Sequence, residues 1–297
     1  MTLAGRFAPS PSGELHVGNL RTAILAWLFA RSTGRSFLLR VEDLDRARAG
    51  AEAVQLRDLA AVGVDWDGAV VRQTARGSLY EEAIGRLQSA GLTYECFCTR
   101  REIQEAPSAP HAPQGAYPGT CRNLEPAELE FKRSTRPAAI RLRADVAEFT
   151  VRDVLHGAYT GVVDDFVLRR NDGVTAYNLA VVVDDADQGI DQVVRGDDLL
   201  PSTPRQAYLA SLLNIPVPEY AHVPLVVNSD GVRLAKRDGA VTIGDLDAAG
   251  VRVDQVRNRL LASLGLPPVP LRQALGAFHP ARVPTSPWVW EGFVNNR

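Results

Sequence analysis

Hydrophobic and polar positions follow two periods along the first ninety residues. Short apolar runs predict strands, and the segments between them repeat their apolar positions every three or four residues, which predicts helices. The predicted elements are a strand at Leu3–Phe7, a helix marked by Leu20, Ile24 and Trp27, a strand at 36–43, and helices at 50–62 and 78–90. Strands that alternate with helices indicate an α/β fold with a doubly wound parallel sheet.

The pattern changes near residue 94 and resumes near residue 171. Between these points we predict helices at 100–105 and 127–133 and strands at 139–143, 149–154 and 162–169. Further strands are predicted at 192–198 and 223–227, and helices at 244–249 and 253–264. We therefore expect a split α/β domain (1–94 and 171–240), an α+β insertion (95–170) and a short helical segment (241–297).

Composition restricts the function classes. The chain has 297 residues, and no apolar run approaches the ~20 residues of a membrane span. The N-terminus lacks the pattern of a signal peptide, and the odd count of three cysteines favours the cytoplasm over a disulfide scaffold. Because the net charge is −2, contact with a nucleic acid requires a local basic patch. The best candidates are Arg133, Arg136, Arg141 and Arg143.

The segment from Ala8 to Asn19 links the first strand to the first helix. Its prolines, serines and glycine predict a turn that directs free backbone N–H groups at the helix start toward an anion. His16 and Asn19 add side-chain donors, and Gly18 leaves the helix start without a Cβ that would block a ligand. The same pattern also fits a polar turn before a core helix.

Two further groups of residues carry candidate chemistry. Cys96, Cys98 and Cys121 lie within 26 positions, which fits either a zinc site or reduced, buried cysteines. Spacing alone offers His111 as a fourth ligand. Carboxylates that follow the second strand, Glu42, Asp43 and Asp45, stand where open α/β sheets bind ligands, although a solvated loop explains them as well.

Lysine is almost absent from the chain. Of its 33 basic residues only Lys132 and Lys236 are lysine. A lysine that remains in such a background is a candidate for a compact, mobile positive charge. Chance is the alternative, and Lys132, in an ordinary helix, is the control.

These motifs together resemble the class I aminoacyl-tRNA synthetases of the glutamyl type. Residues 8–19 resemble the HIGH signature, in which the histidine and glycine contact ATP, and residues 233–238 resemble the KMSKS loop. Arg233 and Ala235 depart from the latter motif, whereas Lys236 matches it. The resemblance implies that His16, Gly18, Asn19 and Lys236 bind ATP with its Mg²⁺. It assigns glutamate to Arg6, Ala8, Ser10, Glu42, Tyr177 and Arg195.

The cysteine pattern resembles a shortened branch of this family, the glutamyl-Q tRNA(Asp) synthetases. The resemblance implies one structural Zn²⁺ on Cys96, Cys98, Tyr117 and Cys121, and no full anticodon-binding domain. It implies a ligase that activates L-glutamate with ATP and attaches it to queuosine of tRNA(Asp). We expect this ligase to be a cytoplasmic monomer. Two alternatives stay open: a truncated synthetase that charges a tRNA 3′ end, and a non-catalytic, zinc-stabilised RNA-binding module.

Overall fold

The protein is organised around a seven-stranded sheet in the order β3-β2-β1-β9-β10-β6-β7. The computed structural model describes residues 3–105, 117–234 and 241–293. The described strands of this sheet are β1 (Ala4–Phe7), β2 (Ser36–Val41), β3 (Val71–Arg72), β6 (Glu148–Asp153), β7 (Gly157–Val162), β9 (Ile190–Gly196) and β10 (Glu219–Val223). All neighbours pair in parallel except β6 and β7, which confirms the predicted doubly wound sheet.

Helices cover the sheet. They are α1 (Val17–Ser32), α2 (Ala51–Ala61), α3 (Gly77–Ser89), α6 (Tyr177–Asp187) and α7 (Thr203–Leu212). The first helix is buried on most sides, because its residues between Leu20 and Ala30 are nearly all apolar. A Cβ on Gly5 of β1 would lie 2.8 Å from the Cβ of Ala30, so glycine lets α1 lie directly on the central strand.

The segment predicted as an insertion contributes to two sheets. Strands β4 (Thr93–Cys96), β5 (Ala139–Leu142) and β8 (Val167–Arg169) form a small antiparallel sheet, with α4 (Arg100–Glu105) and α5 (Pro126–Thr135) in the same segment. The β6–β7 hairpin instead extends the large sheet, where Asp153 is the register partner of Tyr220. The strand predicted at 162–169 is therefore wrong, because the chain leaves the large sheet at Val162 and enters the small one at Val167.

The chain beyond the second half of the sheet returns to the core. A strand predicted at 223–227 is divided by Pro224, which has no N–H for a ladder, into the end of β10 and β11 (Val226–Val227). The last elements are α8 (Ile243–Ala248), α9 (Val253–Ala262), α10 (Leu271–Ala274) and β12 (Trp288–Val289). Strand β12 pairs with β11, and Trp290 is buried in the main core. Within the described ranges, no helix has both the length and the apolarity needed to cross a bilayer.

Candidate active site and candidate metal centre

A cleft of about 500 Å³ opens at the carboxyl ends of β1, β2 and β9. The chain continues from β1 to β2 on one side and reaches β10 from β9 on the other, so the cleft lies where the strand order reverses. Ligands bind at this point in open α/β sheets. The cleft brings together nine predicted site residues: Arg6, Ala8, Ser10, His16, Gly18, Asn19, Glu42, Tyr177 and Arg195.

The loop between β1 and α1 forms one wall of the cleft and is anchored by its neighbours. The Gln55 side-chain amide donates to the carbonyl oxygens of Ser10 and Gly13 at 3.0 and 2.6 Å. The Pro9 carbonyl accepts the Glu42 N–H at 3.0 Å, which ties the loop to the end of β2. These bonds hold the loop in one shape, and the buried Gln55 was not identified from the sequence.

His16 caps the first helix with its own ring. Its Nδ1 accepts the backbone N–H groups of Gly18 and Asn19 at 3.1 and 3.3 Å, while Asn19 Oδ1 accepts the His16 N–H. The expectation of free N–H groups at this helix start is therefore wrong for these two donors. Because Nδ1 is an acceptor, the neutral ring carries its proton on Nε2.

The reason for Gly18 also differs from the sequence-based expectation. A Cβ at this position would lie 2.9 Å from His16 Cε1 and 3.3 Å from Val226 Cβ. Glycine is thus required for the imidazole to pack on the helix start. Burial, and then the positive charge of Arg233, lower the pKa of His16 to about 4, which keeps the ring neutral near pH 7.

A buried ion cluster supports the Arg6 side of the cleft. Asp185 Oδ1 lies 3.3 Å from Arg6 Nε and 2.8 Å from Arg40 Nη2. Although burial alone would raise the pKa of Asp185, these two guanidiniums hold it below its ordinary value. Glu42 lies 3.5 Å from Arg40, and its burial raises its pKa. The sequence signal that could have identified Asp185 is an acidic pair directly after the apolar run Val181–Val183.

Arg195 occupies the opposite side and is held differently. It is 5% exposed, and its Nε donates to the ring of His222 on the neighbouring strand at 3.0 Å. Tyr177 begins α6 at the rim of the cleft, where it is 42% exposed. Of the other acidic candidates, Asp43 accepts two hydrogen bonds from Thr74 and does not line the cleft.

The structure describes the first two residues of the KMSKS-like segment, Arg233 and Leu234. Arg233 lines the cleft and forms an ion pair with Asp198 at 2.6 Å. Val241, on the far side of the segment, accepts the Val17 N–H at 2.8 Å. Lys236 and Ala235, together with His111 of the cysteine-rich region, lie outside the described residues.

Cys96, Cys98 and Cys121 form a cluster whose sulfur atoms all lie within 4.8 Å of one another. The Tyr117 hydroxyl lies 3.4 Å from Cys96 Sγ and 3.6 Å from Cys98 Sγ, and the sulfurs of Cys98 and Cys121 are 3.5 Å apart. Tetrahedral zinc with bonds of ~2.0–2.3 Å separates its ligand atoms by ~3.5–3.8 Å. The donor set and its spacing therefore fit a metal ion.

Arg141 lies beneath this cluster and not on the protein surface. It is buried, and its guanidinium stacks 3.6 Å from the centroid of the Tyr117 ring. A hydrogen bond from Cys121 and the charge of Arg141 lower the pKa of Cys96 to about 4, although burial opposes them. The expectation of one exposed basic face is thus wrong for Arg141, because its guanidinium is buried beside Tyr117 and the thiols.

Comparison with known proteins identifies the family. The model of the catalytic domain of class I tRNA synthetases (E and Q) matches residues 2–277. A Nocardia farcinica protein named glutamyl-Q tRNA(Asp) synthetase is 67% identical, over 96% of this chain and 92% of that protein. The chain belongs to the glutamyl-Q tRNA(Asp) synthetases. A second protein of that name, from Cutibacterium acnes, is 54% identical over 90% of this chain and 77% of its own length.

Solved structures of longer chains have a similar fold. The crystal structure of a glutamate tRNA ligase from Elizabethkingia meningosepticum, in complex with its amino acid, superimposes with a TM-score of 0.83 at 27% identity. The similarity covers 98% of this chain and 67% of that one. The predicted class I synthetase fold is confirmed by this likeness together with the family match.

Proposed function

We propose that the protein activates L-glutamate with ATP and transfers it to the queuosine of tRNA(Asp). The observation that carries the proposal is the pairing of two buried arginines, Arg6 and Arg195, with Glu42 around one cleft. The relatives from Nocardia farcinica and Cutibacterium acnes carry the corresponding name. The geometry supplies the reason why glutamate is the amino acid.

Glutamate presents two carboxylates and one ammonium group. Guanidinium forks match carboxylates in shape and charge, so Arg6 and Arg195 are suited to the two anionic ends. Glu42 is suited to the ammonium group, whose approach would favour its ionised form. The backbone at Ala8 and Ser10 and the Tyr177 ring complete the amino-acid site. Glutamine is rejected because a neutral amide would leave a buried guanidinium poorly paired.

ATP occupies the side of the cleft next to the first helix. His16 offers its Nε2–H, and Gly18 and Asn19 form the helix start. By the match to the KMSKS motif, Lys236 supplies a compact positive charge. The glutamate α-carboxylate attacks the α-phosphorus, which gives glutamyl-adenylate and pyrophosphate. Mg²⁺ enters with ATP as part of the substrate. The residues act by positioning the reactants and stabilising charge.

The second step forms an ester. A hydroxyl of the queuosine cyclopentenediol attacks the acyl carbon of the adenylate, AMP leaves, and the hydroxyl proton is released. Zn²⁺ on Cys96, Cys98, Tyr117 and Cys121 would hold the inserted segment in place, since four protein ligands leave no open position for chemistry. The buried Arg141 beside this site offsets the negative charge of the thiolates.

The acceptor is tested with labelled glutamate and three RNAs. We expect label on tRNA(Asp) that contains queuosine, and none on queuosine-free tRNA(Asp) or on tRNA(Glu). Periodate treatment of the RNA, which cleaves cis-diols, should abolish the transfer. Label on the 3′ end of tRNA(Glu) would show that the acceptor is wrong, and absence of glutamate-dependent ATP–pyrophosphate exchange would refute the activation step itself.

A further inference from the structure

Four buried polar side chains form a chain of hydrogen bonds behind the cleft. Arg195 comes from β9, His222 from β10, Asp153 from β6 and Thr203 from the start of α7. Each of them is at most 5% exposed. Only Arg195 of the four lines the cleft, so the other three act on a ligand through it.

The sheet register brings these side chains together. His222 is the direct partner of Arg195 across the parallel pair β9–β10, so the two side chains project from the same face. Asp153 ends β6, and its Oδ1 accepts the N–H groups of Leu155 and His156 at 2.9 and 3.0 Å. These two hydrogen bonds fix the orientation of the carboxylate that contacts the histidine.

The donors and acceptors define one protonation state of the ring. His222 Nε2 accepts from Arg195 Nε at 3.0 Å, so this nitrogen carries no proton. Nδ1 therefore bears the proton and donates to Asp153 Oδ2 at 2.7 Å. Burial lowers the pKa of His222, and the Arg195 charge adds to this effect, whereas Asp153 opposes it. Neutral imidazole is the form that can accept from a guanidinium.

Thr203 fixes the second nitrogen of the arginine. Its Oγ1 accepts from Arg195 Nη2 at 2.8 Å and lies 3.0 Å from His222 Nε2. Two nitrogens of one guanidinium are thus bonded to a ring and a hydroxyl that also contact each other. Such a planar group has no remaining rotational freedom, and its orientation toward the cleft is set by its partners.

We propose that His222, oriented by Asp153, is the positioning residue that aims Arg195 at a carboxylate of glutamate. This inference deepens the proposed function and rests on it. In this relay of Arg195, His222 and Asp153, the negative charge that balances Arg195 lies on Asp153, on the other side of the imidazole ring. No carboxylate of the relay therefore contacts the guanidinium directly. Arg6, in contrast, contacts Asp185 directly. Of the two guanidiniums, Arg195 is therefore better suited to bind an incoming carboxylate.

Two amide substitutions separate positioning from packing. In His222→Gln the amide reaches the place of Nε2 and can accept from Arg195, whereas in His222→Asn it reaches only the place of Nδ1 and still contacts Asp153. We expect His222→Asn to raise the KM for glutamate by ~10-fold or more, the scale of one hydrogen bond to a charged group. His222→Gln should stay within about 3-fold of the wild type, and the KM for ATP should change little in either variant.

The matched control is His156→Gln. The side chain of this exposed histidine bonds the His222 backbone carbonyl and no side chain of the relay, and the His156 backbone N–H that bonds Asp153 is kept in the variant. It should leave both KM values unchanged. Equal glutamate KM values in His222→Gln and His222→Asn, or equal rises in the two substrates' KM values, would overturn the positioning role.

The protonation state of the His222 ring can also be observed directly. ¹⁵N NMR of wild-type protein should show a neutral imidazole with its proton on Nδ1. A protonated ring or a proton on Nε2 would refute the relay. Because this measurement does not depend on activity, it tests the relay separately from the proposed function.

Discussion

The substitution Gly18→Ala tests the link between the helix cap and the candidate active site. In an ordinary helix, alanine is more stable than glycine by ~1 kcal/mol. At position 18 the added Cβ would lie 2.9 Å from His16 Cε1 and 3.0 Å from Nδ1. Carbon atoms in contact prefer ~3.5–4.0 Å, so the ring must move by roughly 0.6 Å or more.

That movement removes the cap. The two hydrogen bonds to Nδ1 are already 3.1 and 3.3 Å long, and a further shift of this size takes at least one of them beyond hydrogen-bonding distance. Loss of an N-cap costs ~1 kcal/mol, which cancels the gain from alanine. Stability should therefore change little, while the displaced His16 ring should lower adenylate formation by ~10-fold or more.

Gly85 supplies the control, because it lies in the middle of α3 and a Cβ there meets no atom within 4 Å. Gly85→Ala should raise the free energy of unfolding by ~0.5–1 kcal/mol and leave activity unchanged. Urea denaturation measures the first quantity, and glutamate-dependent ATP–pyrophosphate exchange measures the second. If Gly18→Ala proves as stable and as active as Gly85→Ala, the structural role assigned to the His16 ring is wrong.

Four further outcomes are expected. Lys236→Ala should lower pyrophosphate exchange by ~10²-fold, and Lys132→Arg should not; near-normal exchange in the former would contradict the loop assignment. Cys121→Ser should lose stoichiometric zinc, as measured by atomic emission. If purified wild-type protein that was never exposed to a chelator contains no stoichiometric zinc, the metal site is refuted. Arg195→Ala should raise the glutamate KM at least ~10-fold but not that of ATP, and equal rises would indicate misfolding. The unfolded state binds a proton at His16 from pH 6.5 downward and the folded state only near pH 4. The contribution of His16 to stability should therefore fall by ~1–2 kcal/mol between pH 7 and 5, measured as the difference between urea titrations of the wild type and of His16→Asn.

Local signals predicted the first part of the sheet well. The first helix, the strand that begins at residue 36 and the helices near 51 and 77 all depend on apolar periods that neighbouring residues set. The second strand was predicted to residue 43 and ends at Val41. Most of the described site residues that the resemblance implied meet in one cleft because they lie on or follow β1, β2 or β9, whose carboxyl ends share an edge. Tyr177 is different, since it begins α6 after β8 of the small antiparallel sheet.

The supporting residues could not be predicted in this way. Asp153 and His222 are 69 positions apart, and only the register of β6 on β10 brings them into contact. A hydrophobic pattern carries no information about which strand becomes a neighbour in space. The β6–β7 hairpin was missed for a second reason. Strand β6 was predicted, but β7 is a short strand with several exposed positions and has a weak apolar signal.

The position of β1 has a consequence for the newly synthesised chain. One edge of this strand is completed by β9, and the Ala4 N–H donates to Asp191, which lies 187 residues further along. At translation rates of ~5–20 residues per second, the edge stays open for ~10–40 s after β1 has been made. The buried apolar faces of β1 and α1 are then without their final partner, which makes this a hazard for aggregation on the ribosome. Slower translation of residues 42–190 should thus increase the fraction of chains bound by ribosome-associated chaperones, and arrest beyond residue 223, where β10 ends, should release them.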